Sequence, residues 1–130
     1  MNDFDISNGN ILAFIGDSVF TLQVREYLIS LKMTKSKELQ EASSKYVSAK
    51  TQAKVVQIMR EEGFLSEKEE AVYNWGRNYK SHSKAKNVDV LTYKAASGLE
   101  AIWGYWYLNN NPQRLSELWD KTRTIVETNL

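Results

Sequence analysis

Two carboxylates stand inside apolar helical patterns, and what they could do chemically is the first question this sequence raises. Asp17 lies in "FIGDSVF" and Glu100 lies in "AASGLEAIWGYWYL", each among aromatic and aliphatic residues. A buried carboxylate is costly unless something pairs with it, so both positions imply a partner or a function. Two such carboxylates brought face to face repel each other unless one is protonated or a cation lies between them.

A metal site that offers oxygen ligands, with no cysteine and no histidine cluster, favours Mg²⁺ or Mn²⁺. The chain has no cysteine and a single histidine, His82, which argues against a zinc site and against a Ser-His-Asp triad. A divalent cation held by two carboxylates suits phosphodiester hydrolysis, because it activates water and stabilises charge on phosphate. From spacing alone, the alternative stays open that each carboxylate pairs with a lysine or accepts from a backbone amide.

The elements that must position these carboxylates are predicted to be helices only. Apolar residues recur at about 3.6-residue spacing, and no segment alternates as a strand would. Predicted helices cover residues 10–31, 45–62, 67–79, 90–108 and 112–128, with a shorter one over 35–44. Ser66 with Glu69 forms a capping-box pattern, and Asp89 is a candidate N-cap. At 130 residues the chain is expected to form one all-α domain, residues 1–130.

Net charge is only +1, but the charges are segregated along the chain. Basic residues dominate from Arg77 to Lys94, and acidic residues dominate from Glu61 to Glu70. No apolar run is long enough to span a membrane, and the first residues lack the pattern of a signal peptide. We therefore expect a soluble, cytoplasmic protein that has no membrane partner.

Several motifs together resemble one enzyme family. "ILAFIGDSVF" resembles the signature helix of the ribonuclease III family, and "GLEAIWGYWYL" resembles the second acidic helix of that family. Between them, "KYVSAKTQAKVV" and "GRNYKSHSKAKNVDVLTY" resemble the small bacterial Mini-III branch, which has the catalytic domain without a double-stranded-RNA-binding domain. The resemblance covers about residues 11–125.

This resemblance implies a ribonuclease III-like helical bundle that works as a symmetric homodimer. It implies an endoribonuclease that uses Mg²⁺, with Mn²⁺ as a substitute, cuts double-stranded RNA and leaves 5′-phosphates. Asp17 and Glu100 fall on the family's acidic positions and would hold the metal or orient the attacking water. The branch is associated with maturing the ends of 23S ribosomal RNA precursors, and the need for a large-subunit ribosomal protein stays open.

The sequence departs from classical ribonuclease III at three acidic positions. Asn10 and Ala13 replace two glutamates upstream of Asp17, and Ser97 replaces an aspartate three residues before Glu100. Mini-III proteins also tend to lack these acids, so the departures fit that branch. They predict a leaner site with one metal held partly through waters, which Asn10 and Ser97 would position.

A nuclease of this kind must hold the phosphates of an RNA duplex with its own surface. The segment "GRNYKSHSKAKN" offers suitable groups in a predicted exposed loop. The candidate RNA-binding residues are Arg77, Asn78, Lys80, Ser81, Lys84 and Lys86, together with Lys50 on a helix. On composition alone, a loop that merely keeps the protein soluble remains the alternative.

Three further interpretations complete the sequence reading. The acidic run 61–70 is interpreted as a solvated turn and helix start rather than as a metal site. The aromatic run 103–107 is interpreted as core or dimer interface. Phe14 and Phe20 exceed what one helix face buries within one chain, so the helix around Asp17 is expected near the dimer axis. The competing function is a non-catalytic helical RNA-binding module associated with ribosome assembly.

Overall fold

The computed structural model describes residues 7–79 and 89–129, and these residues form six α-helices and no strand. The helices are α1 (Gly9–Ser30), α2 (Ser36–Val47), α3 (Ala49–Glu61), α4 (Glu67–Asn78), α5 (Val90–Leu108) and α6 (Pro112–Asn129). The all-α prediction is confirmed. Within these ranges no helix is long and apolar enough to cross a membrane.

Side-chain caps begin the helices where the sequence predicts them. Ser66 and Glu69 form the reciprocal capping box of α4, with the Ser66 amide donating to Glu69 over 2.8 Å. The Asp89 carboxylate accepts from the amide of Thr92 over 2.9 Å at the start of α5. Each cap satisfies a backbone N–H that has no partner within its helix, which is why these residue types mark the boundaries so well.

The predicted continuous helix over residues 45–62 is wrong, because the chain breaks at Ser48. This residue is extended, with φ −61° and ψ 149°, and it both ends α2 and caps α3. The Ser48 hydroxyl accepts from the amide of Thr51 over 3.2 Å. A serine at an N-cap satisfies a free amide, so it offers the chain a favourable place to turn. The turn gives α2 and α3 different directions.

Helix α5 runs through the centre of the bundle. Every residue from 96 to 105 except Glu100 is buried. The indole of Trp103 packs against the ring of Phe20 from α1, with 5.1 Å between the ring centroids. Phe20 is fully buried in its own chain, so the expectation that it contributes to a dimer interface is wrong. Along this buried stretch, Glu100 is the residue whose side chain reaches the edge of the core.

Helix α6 closes the bundle against α1 and α2. The hydroxyl groups of Tyr27 and Tyr46 both donate to one carboxylate oxygen of Glu127, each over 3.0 Å. The ring of Trp119 packs against both tyrosines, with its centroid 5.3 Å from that of Tyr27 and 5.5 Å from that of Tyr46. Tyrosine contributes both apolar area and a polar group here, so α6 is fixed by packing and by hydrogen bonds.

Candidate active site

The backbones of α1 and α5 touch where the two candidate carboxylates lie. A Cβ atom on Gly16 would stand 1.7 Å from the carbonyl oxygen of Glu100, and one on Gly104 would stand 2.1 Å from the carbonyl oxygen of Leu12. Neither position therefore accepts a side chain. Because Asp17 follows Gly16 directly, this crossing brings its side chain to the level of Glu100.

A second close crossing fixes α4 against the other side of α5. A Cβ on Gly76 would lie 2.5 Å from the Cβ of Ala101, and one on Gly98 would lie 2.5 Å from the ring of Tyr73. Helix α5 is thus held between α1 and α4 by contacts that leave no room for a side chain. The side chain of Glu100 extends from the part of α5 that these contacts with α1 and α4 fix in place.

The carboxyl groups of Asp17 and Glu100 lie within hydrogen-bonding distance of each other. Asp17 is exposed in the single chain, so the prediction that both carboxylates are buried is wrong for this residue. Glu100 is mostly buried, and burial, reinforced by the nearby charge of Asp17, raises the pKa of its carboxyl well above the usual range. Without a cation the protonated form of Glu100 is therefore favoured, and the pair opens to solvent on the Asp17 side.

Gln52 of α3 completes the surroundings of Glu100, and the sequence analysis missed it. Its side-chain amide nitrogen donates to Glu100 Oε2 over 3.1 Å and to the carbonyl oxygen of Val47 over 3.0 Å. The side chain is buried, on the face of α3 that also carries Val56 and Met59. A polar residue at an apolar helical position is the same signal that drew attention to Asp17 and Glu100, so the sequence did contain it.

Ser97, predicted to position a water, lies one turn before Glu100 and is buried. Its hydroxyl and that of Tyr93 hydrogen-bond to the hydroxyl of Tyr79 at the end of α4. Burial, together with the neighbouring Tyr93 and Glu100, raises the pKa of Tyr79 above its ordinary value. Ser97 thus already has a protein partner. It contributes to a small hydroxyl network beside the carboxylates.

Asn10, the other predicted water-positioning residue, is exposed in the first turn of α1. It precedes Asp17 by seven residues, so the two side chains share one helix face but stand about 10 Å apart along the axis. Asn10 therefore lies beside the carboxylate pair rather than within it.

The donor set at the crossing suits a hard divalent cation. Among the described residues, the hydrogen-bond partners of Glu100 are the Asp17 carboxyl group and the Gln52 amide, and Mg²⁺ typically binds through one or two carboxylates while keeping several waters. In the described ranges, no group of three or more His, Cys, Asp or Glu side chains is placed to hold a metal ion. A Mg²⁺ ion at this crossing would have Asp17 and Glu100 as its carboxylate ligands.

Three of the predicted RNA-binding residues lie in the described part of the chain. Lys50 is exposed in the first turn of α3, and Asn78 is exposed at the end of α4. Arg77 is half-buried, and its guanidinium donates to the Asn78 side chain over 3.1 Å. Lys80, Ser81, Lys84 and Lys86 lie outside the described residues, as does His82.

The acidic run 61–70 is more than a solvated turn, because Glu69 is fully buried. The Arg114 guanidinium donates to both of its carboxylate oxygens over 2.7 Å, and the indole N–H of Trp106 donates over 2.7 Å. These contacts join α4, α5 and α6. The sequence interpretation was therefore wrong for Glu69, whose partner lies 45 residues further along the chain.

An exposed apolar stripe runs along α1 beside Asp17. Phe14 is 80% exposed, Leu22 59% and Ile29 64%, and Ile11 continues the stripe toward the start of the helix. These positions recur at helical spacing, so they form one face that no other described part of the chain covers. Large exposed apolar side chains grouped on one face are typical of an interaction surface.

Comparison with known proteins places the chain in a family. The family model of the Ribonuclease III domain matches residues 10–111. Mini-ribonuclease 3 of Streptococcus pneumoniae is 48% identical over 91% of this chain and 92% of its own length. The Enterococcus faecalis protein of that name is 45% identical, over 91% of this chain and 89% of its own length.

A solved structure supports the same fold. A crystal structure of a Fusobacterium nucleatum protein superposes with a TM-score of 0.81 over 92% of this chain and 96% of that one. Its sequence identity is 24%, so this likeness concerns the fold alone. Both acidic helices, α1 and α5, fall within the residues that the Ribonuclease III domain model matches. The chain therefore belongs to the ribonuclease III family of endoribonucleases, in its Mini-ribonuclease 3 branch.

Proposed function

We propose that this chain is a Mg²⁺-dependent endoribonuclease that cleaves double-stranded RNA. The observation that carries the proposal is the contact between the carboxyl groups of Asp17 and Glu100 at the crossing of α1 and α5. Like charges held together at a partly buried position are stabilised by a divalent cation. Mn²⁺ is the expected substitute, because it prefers the same oxygen ligands.

In the proposed reaction, Asp17 and Glu100 hold the cation through their carboxylate oxygens. The chemistry that the cation supplies is neutralisation of charge on the phosphate and a lower pKa of water. The two carboxylates also orient the attacking water in line with the bond between phosphorus and the 3′ oxygen. The water oxygen would bond to phosphorus as the bond to the 3′ oxygen breaks, and the 3′ oxygen would take up a proton, so the products would carry a 5′-phosphate and a 3′-hydroxyl.

The duplex would be held through its backbone. A-form RNA presents phosphates and 2′-hydroxyls rather than readable base edges, so lysine, arginine and small polar groups suffice for binding. Lys50, Arg77 and Asn78 are proposed contacts, along with the basic residues of the segment 80–88. Lys50 is exposed in the first turn of α3, the helix that also carries Gln52.

The functional unit is proposed to be a homodimer formed along α1. The exposed stripe of Ile11, Phe14, Leu22 and Ile29 supplies the apolar area, and association of two copies would bury it. Each subunit would contribute one pair of carboxylates. Two sites related by a two-fold axis suit a substrate whose two strands run in opposite directions.

The proposed biological role is maturation of the ends of 23S ribosomal RNA precursors in the cytoplasm. Support for this role comes from the association of the Mini-III branch with such maturation, and the chain is similar to proteins named Mini-ribonuclease 3. A large-subunit ribosomal protein is the proposed partner that presents the RNA. Mapping the 5′ and 3′ ends of 23S RNA in cells depleted of this protein tests the role, since unprocessed ends are expected to accumulate.

Cleavage of a labelled RNA duplex tests the catalytic proposal directly. The unmutated protein should cut in Mg²⁺ or Mn²⁺ and be inactive in a chelator. Asp17→Asn and Glu100→Gln should each lower the cleavage rate by more than about 100-fold, because a metal ligand supplies several kcal/mol of transition-state stabilisation. Asp120→Asn, which changes an exposed carboxylate on α6, is the matched control and should keep full activity.

The outcomes separate the candidate functions. Full cleavage by both site variants would contradict the assignment of Asp17 and Glu100. Duplex binding that weakens with salt, without cleavage in either metal, would instead indicate the non-catalytic RNA-binding module.

A further inference from the structure

The side chain of Gln52 joins the end of one helix to a candidate metal ligand on another. Its amide nitrogen carries two hydrogens, and both are used: one for the carbonyl of Val47, the last residue of α2, and one for Glu100 Oε2. The two bonds measure 3.0 and 3.1 Å. Only 2% of Gln52 is exposed, so water does not compete freely for either hydrogen.

These partners fix which way the amide points. A backbone carbonyl only accepts hydrogen bonds. Turning the amide over would place its oxygen against the carbonyl oxygen of Val47 and lose that bond. Gln52 therefore presents its nitrogen to Glu100 because the main chain at Val47 requires the same orientation.

Gln52 is a poor core residue on grounds of stability alone. Its side-chain oxygen is buried and has no hydrogen-bond partner among the residues that the structure describes. A buried acceptor left unpaired is unfavourable, and an apolar side chain of similar shape avoids that loss. The neighbours on the same face of α3, Val56 and Met59, are apolar. Packing does not explain an amide at this position, whereas its two hydrogen bonds do: one satisfies the Val47 carbonyl at the end of α2, and the other reaches Glu100.

We propose that Gln52 is a positioning residue that holds the carboxylate of Glu100 toward Asp17 and so prepares the pair to bind the divalent cation. The inference rests on the proposed function of Glu100. With Oε2 held by an amide that is anchored to the main chain of α2, the Glu100 side chain loses much of its rotational freedom. Groups that orient a metal ligand in this way typically change metal affinity or activity 10- to 100-fold when removed.

Metal binding by the RNA-free protein gives a test that does not depend on turnover. Gln52→Met keeps the side-chain length and removes the donor. Titration calorimetry should show Mn²⁺ affinity lowered about 10-fold or more. Gln57→Met is the matched control on the same helix, where the amide donates to the exposed Glu61 over 3.2 Å, and its affinity should be unchanged.

Kinetics separate positioning from a general structural role. In Gln52→Met, kcat for a duplex substrate should fall about 10- to 100-fold while KM stays within about twofold, because the duplex surface is untouched. In a Glu100→Gln background, Gln52→Met should lower Mn²⁺ affinity no further, since its effect acts through Glu100. Equal losses in both backgrounds would overturn the inference.

A measurement on the unmutated protein keeps the inference falsifiable if Gln52→Met does not fold. In an NMR titration, the side-chain amide protons of Gln52 should exchange slowly and shift on addition of Mg²⁺, while those of Gln57 exchange rapidly and stay in place. Unshifted Gln52 signals at saturating Mg²⁺, or unchanged Mn²⁺ affinity in Gln52→Met, would overturn it. Full metal binding and cleavage by Glu100→Gln would instead show that the proposed function itself is wrong.

Discussion

The carbonyl oxygen of Glu100 lies 1.7 Å from the place that a Cβ atom on Gly16 would occupy. In an ordinary helix interior, Gly→Ala stabilises by about 1 kcal/mol. Here the sign should reverse: Gly16→Ala is expected to lower the free energy of unfolding by about 3 kcal/mol, because α1 and α5 must move apart. Urea unfolding measures this change. Ser18→Ala, an exposed site on the same helix, is the control, and a Gly16→Ala protein as stable as this control would contradict the crossing.

Arg114 should be among the most important side chains for stability outside the site. Its partner Glu69 is fully buried, so Arg114→Met leaves an unpaired carboxylate inside the protein. Breaking one side of a buried pair is expected to lower the free energy of unfolding by about 3–5 kcal/mol. Glu70→Gln removes the exposed pair with Arg60 and should change stability by less than about 1 kcal/mol. Comparable losses in the two variants would contradict this difference.

The same buried pair predicts how stability depends on pH. Burial alone would raise the pKa of Glu69, but hydrogen bonds from Arg114, the Ser66 amide and Trp106 outweigh it and lower the pKa. A lowered pKa contributes stability above the unfolded value of about 4.3 and loses it as pH falls toward the folded value. The difference in the free energy of unfolding between the unmutated protein and Glu69→Gln should therefore be smaller at about pH 3 than at pH 7, and unfolding experiments at both values measure it. A constant difference would contradict the lowered pKa.

Phe14→Glu should separate a dimer into monomers that remain folded. Phe14 is 80% exposed in the single chain, so its replacement removes little intramolecular packing. A charge in the middle of the α1 stripe would oppose burial against a second copy. Light scattering after gel filtration should give the mass of one chain, and circular dichroism should show an unchanged helical content. Leu91→Glu, at an exposed apolar position away from α1, should keep the mass of two chains.

Lys50→Ala should weaken duplex binding without changing the chemical step. Removing one phosphate contact is expected to reduce the slope of log affinity against log salt by about 1. Binding of a labelled duplex at several salt concentrations, in a chelator to prevent cleavage, measures this slope. Lys37→Ala changes an exposed lysine on α2 and should leave it unaltered. Equal slopes in the unmutated protein and Lys50→Ala would remove this residue from the RNA surface.

Much of the helical architecture could be predicted because its signals are local. The caps at Ser66 and Asp89 are satisfied within one turn, so their sequence patterns describe the whole interaction. Ser48 shows the limit of this reasoning. Apolar residues continue at helical spacing on both sides of it, and periodicity therefore predicted one helix where the serine caps a new one. Ser48 is a recognisable N-cap residue in the sequence, but the apolar periodicity on both sides of it favoured one continuous helix.

The site depended on contacts distant in sequence, and these could be predicted less well. Spacing identified Asp17 and Glu100 as unusual, whereas their approach depends on glycines of two helices meeting backbone to backbone. Gln52 and Glu69 were missed for the same physical reason. Each is a polar residue whose partner lies 45 or more residues away, so the sequence does not show which residue it pairs with.

The main-chain contact between α1 and α5 has a thermal consequence. Side chains that separate helices can change rotamer as the temperature rises, and a gap set by them loosens before the fold is lost. A spacing set by Gly16 and the carbonyl of Glu100 involves no rotamer at all. The separation of the two main chains that carry Asp17 and Glu100 should therefore stay constant on warming, and activity should disappear together with the cooperative melting of the whole bundle rather than in an earlier step.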